Sequence, residues 1–184
     1  ISGETCTVNQ ATGAYASKNV GTGIVVTVTL VSSNFADYGG SGFLTNNYAL
    51  PTGATGAVGT ITQKTLTAGL VPTISKVYDG NTVATLGPTN YTYSGLISGE
   101  TCTVNQATGA YAGKNVGTGI VVTVTLVSTN FADYGGSGFL TNNYVLPTGA
   151  TGAVGTITQK ALTAGLVPTI SKVYDGNTVA TLGP

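Results

Sequence analysis

The sequence predicts an all-β chain built from tandem units, and three observations carry that expectation. The text of Ile1–Pro88 returns at Ile97–Pro184, a period of 96 residues, with four differences over the 88 shared positions: Ser17/Gly113, Ser33/Thr129, Ala49/Val145 and Thr65/Ala161. A unit of that length can hold a core of its own, which makes it a domain and not one turn of a solenoid. Runs rich in β-branched and aromatic residues alternate with turn signals such as DGN, GPTN, SGE, KNVGTG and PTGATG, and no useful stretch places apolar residues at helical spacing.

Taken in order through one unit, the expected strands are LTAGLVPTI from Leu66, TVATL, YTYSGL, TCTVN, GAYA, GIVVTVTLV and AVGTITQK, which closes at Lys160. The strongest is Ile120–Val127: Ile120, Val122, Val124 and Leu126 fall on one face, and Val121, Thr123, Thr125 and Val127 on the other. That period of two assigns one face to a core. In SSNFADYGG the residues suit a single helical turn. Each unit is therefore expected to be an immunoglobulin-like β-sandwich, with a β-grasp-like unit as the alternative.

Composition narrows the function. Charged residues make up only 7% of the chain, six lysines balance six acids, and His, Arg, Met and Trp are absent. Without clustered positive charge a nucleic-acid partner is not expected. The apolar content of 41% supports a core, yet no apolar run has the length of a membrane span. With no imidazole to activate a serine or cysteine, and no close pair of carboxylates, no enzymatic activity and no cofactor are expected.

KVYDGN at Lys76–Asn81, KNVGTG at Lys18–Gly23, NNYAL at Asn46–Leu50 and GTITQKTLT at Gly59–Thr67 together resemble the YDG-type repeat of large bacterial surface proteins, the filamentous haemagglutinin-like adhesins. The resemblance implies a many-copy stalk, secreted to the bacterial cell surface. It also implies a phase: residues 1–64 form the C-terminal part of one repeat, 65–160 a complete repeat, and 161–184 the N-terminal part of another. Gln63, where the family commonly has proline, the long NFADYGGSGFLTNNY connection and Cys6 depart from the pattern.

The sites follow from that frame. Tyr78, Asp79 and Gly80, with their copies Tyr174, Asp175 and Gly176, read as a structural turn: Asp-Gly suits a tight hairpin, and the tyrosine ring can lie over the sheet. A calcium site is the alternative, weakened because the acids stand alone in sequence. Cys6 and Cys102, one per unit, read either as buried apolar thiols, Cys102 sharing a face with Val104, or as partners in an intermolecular disulfide. Lys76 and Lys18 are candidates for a lysine–asparagine crosslink, against the ordinary expectation of solvated charges beside turns.

The expected function is a structural repeat of an extracellular fibre or adhesin stalk, with other copies or adjacent repeats as partners. GTITQKTLTAGL continues as extended chain across the unit border, which favours a semi-rigid rod. In that phase the first segment stands without the YDG hairpin and the TNYTYSGL strand: either the chain is a window cut from a longer protein, or Ala161–Pro184 of a neighbour completes the sheet opened at Ile1 by strand exchange. The alternative is an adhesin module binding a glycan or host protein through Tyr91, Tyr93 and the Phe35–Tyr48 loop.

Overall fold

The computed structural model describes residues 1–71, 73–166 and 169–182. The first unit contributes β1 (Cys6–Val8), β2 (Ala14–Tyr15), β3 (Gly21–Thr29), β4 (Phe35–Asp37) and β5 (Gly53–Ile61). The middle unit contributes β6 (Lys64–Thr65), β7 (Thr67–Leu70), β8 (Ile74–Val77), β9 (Val83–Thr85), β10 (Tyr91–Ser94), β11 (Cys102–Val104), β12 (Thr108–Tyr111), β13 (Gly117–Thr125), β14 (Phe131–Asp133), β15 (Tyr144–Val145) and β16 (Gly149–Thr158). The chain is all-β: short 3-10 turns such as Ser128–Asn130 are the only helical elements among the described residues, and a β-grasp-like unit, which needs a helix, is set aside. The expected strand LTAGLVPTI is divided into β7 and β8, with residue 72 between them outside the described residues.

The middle unit is organised by a five-stranded sheet in the order β8-β16-β13-β12-β9. β8 and β9 are neighbours in sequence yet occupy opposite edges, and residues 78–82 join them directly, so the sheet curls toward a nearly closed barrel. Its curl is helped by paired bulges in the β13–β16 ladder, where register shifts fall between Thr118 and Ile120 and between Ile120 and Val122. Gly119 takes φ +64 at the first of these, a backbone that a side chain would strain. The ladders β7–β10 and β11–β14 contribute to the same core.

That core is where the sequence alternation placed it. Val122, Val124 and Leu126 are buried and Val121 and Val127 exposed, and they pack with Leu66, Leu70, Ile74, Val104, Tyr111 and Ile157 in one cluster. Burying such side chains contributes about 1.5–3 kcal/mol each relative to leaving them in water. The first unit repeats the register, with Ala14 opposite Thr27 and Tyr15 opposite Val26 as Ala110 is opposite Thr123 and Tyr111 opposite Val122. Its buried core, however, is reduced to Leu30, Phe35 and Phe43. No strand forms in the described part of the third segment.

Candidate functional site

Three features bear on function: the YDG turn, the differing burial of repeated residues, and the joint between units. The turn departs from the expected tight hairpin, because its flanking strands do not pair with each other. The Lys76 ammonium donates to Asp79 Oδ1 at 2.7 Å, to the Asn81 carbonyl at 2.8 Å and to Asn81 Oδ1 at 2.9 Å. Asp79 Oδ1 also accepts from the Asn81 amide, and Asn81 Oδ1 from the Val83 amide. Gly80 takes φ +82 at the apex. The Lys76 hydrogen bond, with the Asn81 amide, holds the Asp79 carboxyl below its ordinary range.

The latch repeats at Lys172, Asp175 and Asn177 with distances of 2.7 to 2.9 Å, although no strand flanks it there. The turn is therefore encoded locally. Tyr78 is half-buried against the core and its amide donates to the Thr158 carbonyl at 2.8 Å, whereas Tyr174 is exposed. A lysine whose ammonium donates to three oxygens forms an ion-pair clip and not the desolvated amine that a crosslink requires.

The same letters have opposite fates in different units. Val104 is 0% exposed and its copy Val8 45%, Tyr111 is 3% exposed and Tyr15 52%, and Leu66 is 1% exposed and Leu162 93%. Burial also separates the two free thiols: Cys102 lies in the core, and burial pushes it up to about 11, while Cys6 is exposed. In the middle unit Leu66, Leu70, Ile74, Ala84, Leu86 and Tyr91 pack in the same cluster as Val104 and Tyr111.

The joint is built from side-chain amides. Asn143 accepts the Val20 amide on Oδ1 at 3.0 Å and donates through Nδ2 to Asn19 Oδ1 at 3.0 Å. Gln63 Nε2 donates to the carbonyls of Asn142 and Tyr144, 3.1 Å each. Lys64–Thr65 then pairs in parallel with Tyr144–Val145, so the chain crosses the border as extended backbone. Beneath these contacts Lys18, Lys64 and Glu100 line a cleft of 290 Å³, and Glu100 accepts the Tyr144 hydroxyl.

The joint sits on the long connection of the middle unit. Asp133 Oδ1 gathers the Ser137 hydroxyl at 2.6 Å and the Phe139 amide at 3.2 Å, with the Ser137 bond foremost in lowering the carboxyl. Phe139 is buried and stacks on Tyr144, ring centres 5.2 Å apart. The connection thus packs on its own unit and reaches the preceding one at Asn142 and Asn143. The sequence places the unit border in GTITQKTLTAGL, which contains Gln63, but it absorbs Asn19 and Val20 into the KNVGTG turn and gives Asn142 and Asn143 no partner.

The proposed aromatic binding surface is corrected. Tyr91 is buried with its hydroxyl donating to the Gln106 carbonyl at 2.7 Å, and Tyr93 is half-buried with its hydroxyl enclosed, which pushes it up to about 12. Neither ring is free to stack on a sugar. Among the described residues no group of three or more acids, cysteines or histidines gathers as a metal site, and no helix is long and apolar enough to cross a membrane.

No curated protein and no solved structure matches the chain. The family model of the YDG domain matches residues 62–152, a span that opens on Gln63 and its joint, contains the Lys76–Asp79–Asn81 latch and ends within β16. Residues 62–152 of this chain carry a YDG domain.

Proposed function

We propose that the chain is a structural segment of an extracellular bacterial surface fibre or adhesin stalk, in which immunoglobulin-like units supply length and stiffness. One observation carries this reading above the others. The joint uses Asn19, Val20 and Gln63 on one side and Asn142–Tyr144 on the other, and the first and middle units each carry both halves of the text. Asn115, Val116 and Gln159 repeat the first half, and Asn46–Tyr48 repeat the second. A contact that is head-to-tail and repeated in every unit generates a linear array. The resemblance of KVYDGN and its companion blocks to surface repeats supports the bacterial-surface location.

Small-angle scattering on chains of increasing unit number tests the rod. The proposal expects the maximum dimension to grow by a constant increment per unit; growth slower than linear, as for a flexible string, would remove stiffness from the function. A second reading, an adhesin module for glycan or protein, retains support from the exposed Tyr38 and Tyr134 in the long connections. Saturable binding of a glycan or protein, lost on changing Tyr38 and Tyr134 to alanine, would favour it.

A further inference from the structure

We infer that Ser17, Thr65, Thr129 and Val145 set the tightness of the joint between units, and that this joint is the tight version of a contact the repeat also encodes in a looser form. The inference rests on the fibre reading and deepens it, because units that differ at their joints make a rod of uneven compliance.

The two copies of the repeat differ at four of 88 shared positions, and one member of each differing pair lies at this joint. Ser17 Oγ accepts the Asn19 amide at 3.1 Å, which fixes the turn that presents Asn19 to Asn143. Thr65 is paired with Val145 in the parallel ladder that carries the chain across the border. The next amide, that of Leu66, donates to the Val145 carbonyl at 3.0 Å. Thr129 and Val145 line a cleft of about 630 Å³ together with Gln63, Asn142 and Tyr144. The counterparts Gly113, Ala161, Ser33 and Ala49 take part in none of these contacts.

The four differences also share a direction. At each position the joint holds the larger and more restrictive residue: Ser17 against Gly113, Thr65 against Ala161, Thr129 against Ser33 and Val145 against Ala49. Serine in place of glycine narrows the backbone freedom of the turn and adds the oxygen that Asn19 uses. Threonine and valine in place of alanine favour the extended backbone on both strands of the Thr65–Val145 pair. Thr129 adds a methyl to the wall of the cleft. The amides make the joint, and these four residues decide how firmly it is held.

Packing inside a unit does not account for the differences. No member of the four pairs is buried. Gly113 has no positive φ, and a Cβ placed there meets nothing within 4 Å, so its own unit admits a serine. Exposure does not account for them either, because Val25 and Tyr38 are as exposed as their copies Val121 and Tyr134 and are unchanged between them. In an array, translation by one unit sets Gly113 and Ala161 on one side of a following joint, and Ser33 and Ala49 on the other side of a preceding one. Asn19, Gln63, Asn142 and Asn143 have unchanged copies, so such joints keep their amide contacts and lose the restraint around them.

Backbone amide exchange of the whole 184-residue chain, resolved by NMR, tests the assignment. The readouts are the Val20 and Leu66 amides, whose acceptors, Asn143 Oδ1 and the Val145 carbonyl, lie across the border. Changing Ser17→Gly, Thr65→Ala, Thr129→Ser and Val145→Ala together should speed exchange at both by about tenfold and leave the amides of β13 as they were. The reverse set, Ser33→Thr, Ala49→Val, Gly113→Ser and Ala161→Thr, lies outside this joint and should leave both amides unchanged. Unaltered exchange in the first set, equal acceleration by the two sets, or acceleration that extends equally to β13 would each overturn the inference. If exchange is unaltered while scattering still shows a constant increment per unit, the tuning alone has failed and the rod reading stands. If exchange responds as expected while the increment shrinks, the four residues keep their role and the rod reading has failed.

Discussion

The Tyr111 hydroxyl donates to the Ile74 carbonyl at 3.0 Å, and with that one bond a residue of β12 reaches across the core to β8 at the sheet's opposite side. The ring lies against Gly155, where an added Cβ would meet Tyr111 Cδ1 at 2.8 Å, and the Tyr111 amide donates to the Thr82 carbonyl beside β9. Tyr111 thus ties both edges of the curled sheet. Tyr111→Phe removes the hydroxyl and its bond to the Ile74 carbonyl, an expected loss of about 0.5–1.5 kcal/mol. Tyr15→Phe, at the exposed copy, is expected to leave the chain's urea unfolding unchanged, and an equal loss from both would refute the role.

Leu66 and Leu162 give a second matched pair. Leu66→Ala opens a cavity in the middle core and is expected to cost about 2–5 kcal/mol. Leu162→Ala should leave the thermal unfolding of dilute monomer where it was, because that side chain is 93% exposed. Differential scanning calorimetry of the two variants checks both.

Alkaline pH should weaken the middle unit. Burial raises Cys102 from 9.0 to about 11 and Tyr93 from 10.0 to about 12 in the folded state. The unfolded chain therefore releases these protons first, and stability present below pH 9 is lost progressively as pH climbs toward 12. Cys102→Ser and Tyr93→Phe should each flatten part of that decline in chemical denaturation measured from pH 8 to 12. At the acid end the sign reverses: Asp79, held low by Lys76, contributes above 3.8 and loses its contribution as pH falls through its folded value. Asp79→Asn should remove that acid limb.

Joint stiffness should depend on amides more than on apolar contacts. Gln63→Ala deletes two hydrogen bonds and Asn143→Ala deletes two more, at about 0.5–1.5 kcal/mol each. Both variants should keep the unfolding midpoint of the middle core yet broaden the distribution of distances between spin labels placed in adjacent units. A distribution as narrow as that of the parent would show the joint to be held by other means.

The sequence made the faces of β13 legible, because alternation of Val and Thr survives translation into burial residue by residue. The 3-10 turn at Ser128–Asn130 and the glycine at the YDG apex were legible for similar local reasons. The hairpin was not, since Asp-Gly between two strands specifies a reversal but not which strands will be its ladder partners. Long-range pairing placed β8 on β16 and β9 on β12 instead. Tyr91 was misjudged because a tyrosine alternating with Thr92 and Tyr93 shows no sign of which face is enclosed. The Asn19–Asn143 bond spans 124 positions, and no local pattern announces it.

The parallel pairing of β8 with β16 has a consequence for a chain under load. The strand near the unit's entry and the strand at its exit run in the same direction, with Ile74 beside Gly155 and Val77 beside Thr158. The short β6–β15 pair at the joint is parallel as well. Tension applied along the polypeptide pulls such strands past each other, so the ladder bonds must yield together and not one by one as in a peeled hairpin. The arrangement that sets the YDG turn at a sheet corner also makes the middle unit a clamp in its own line of pull.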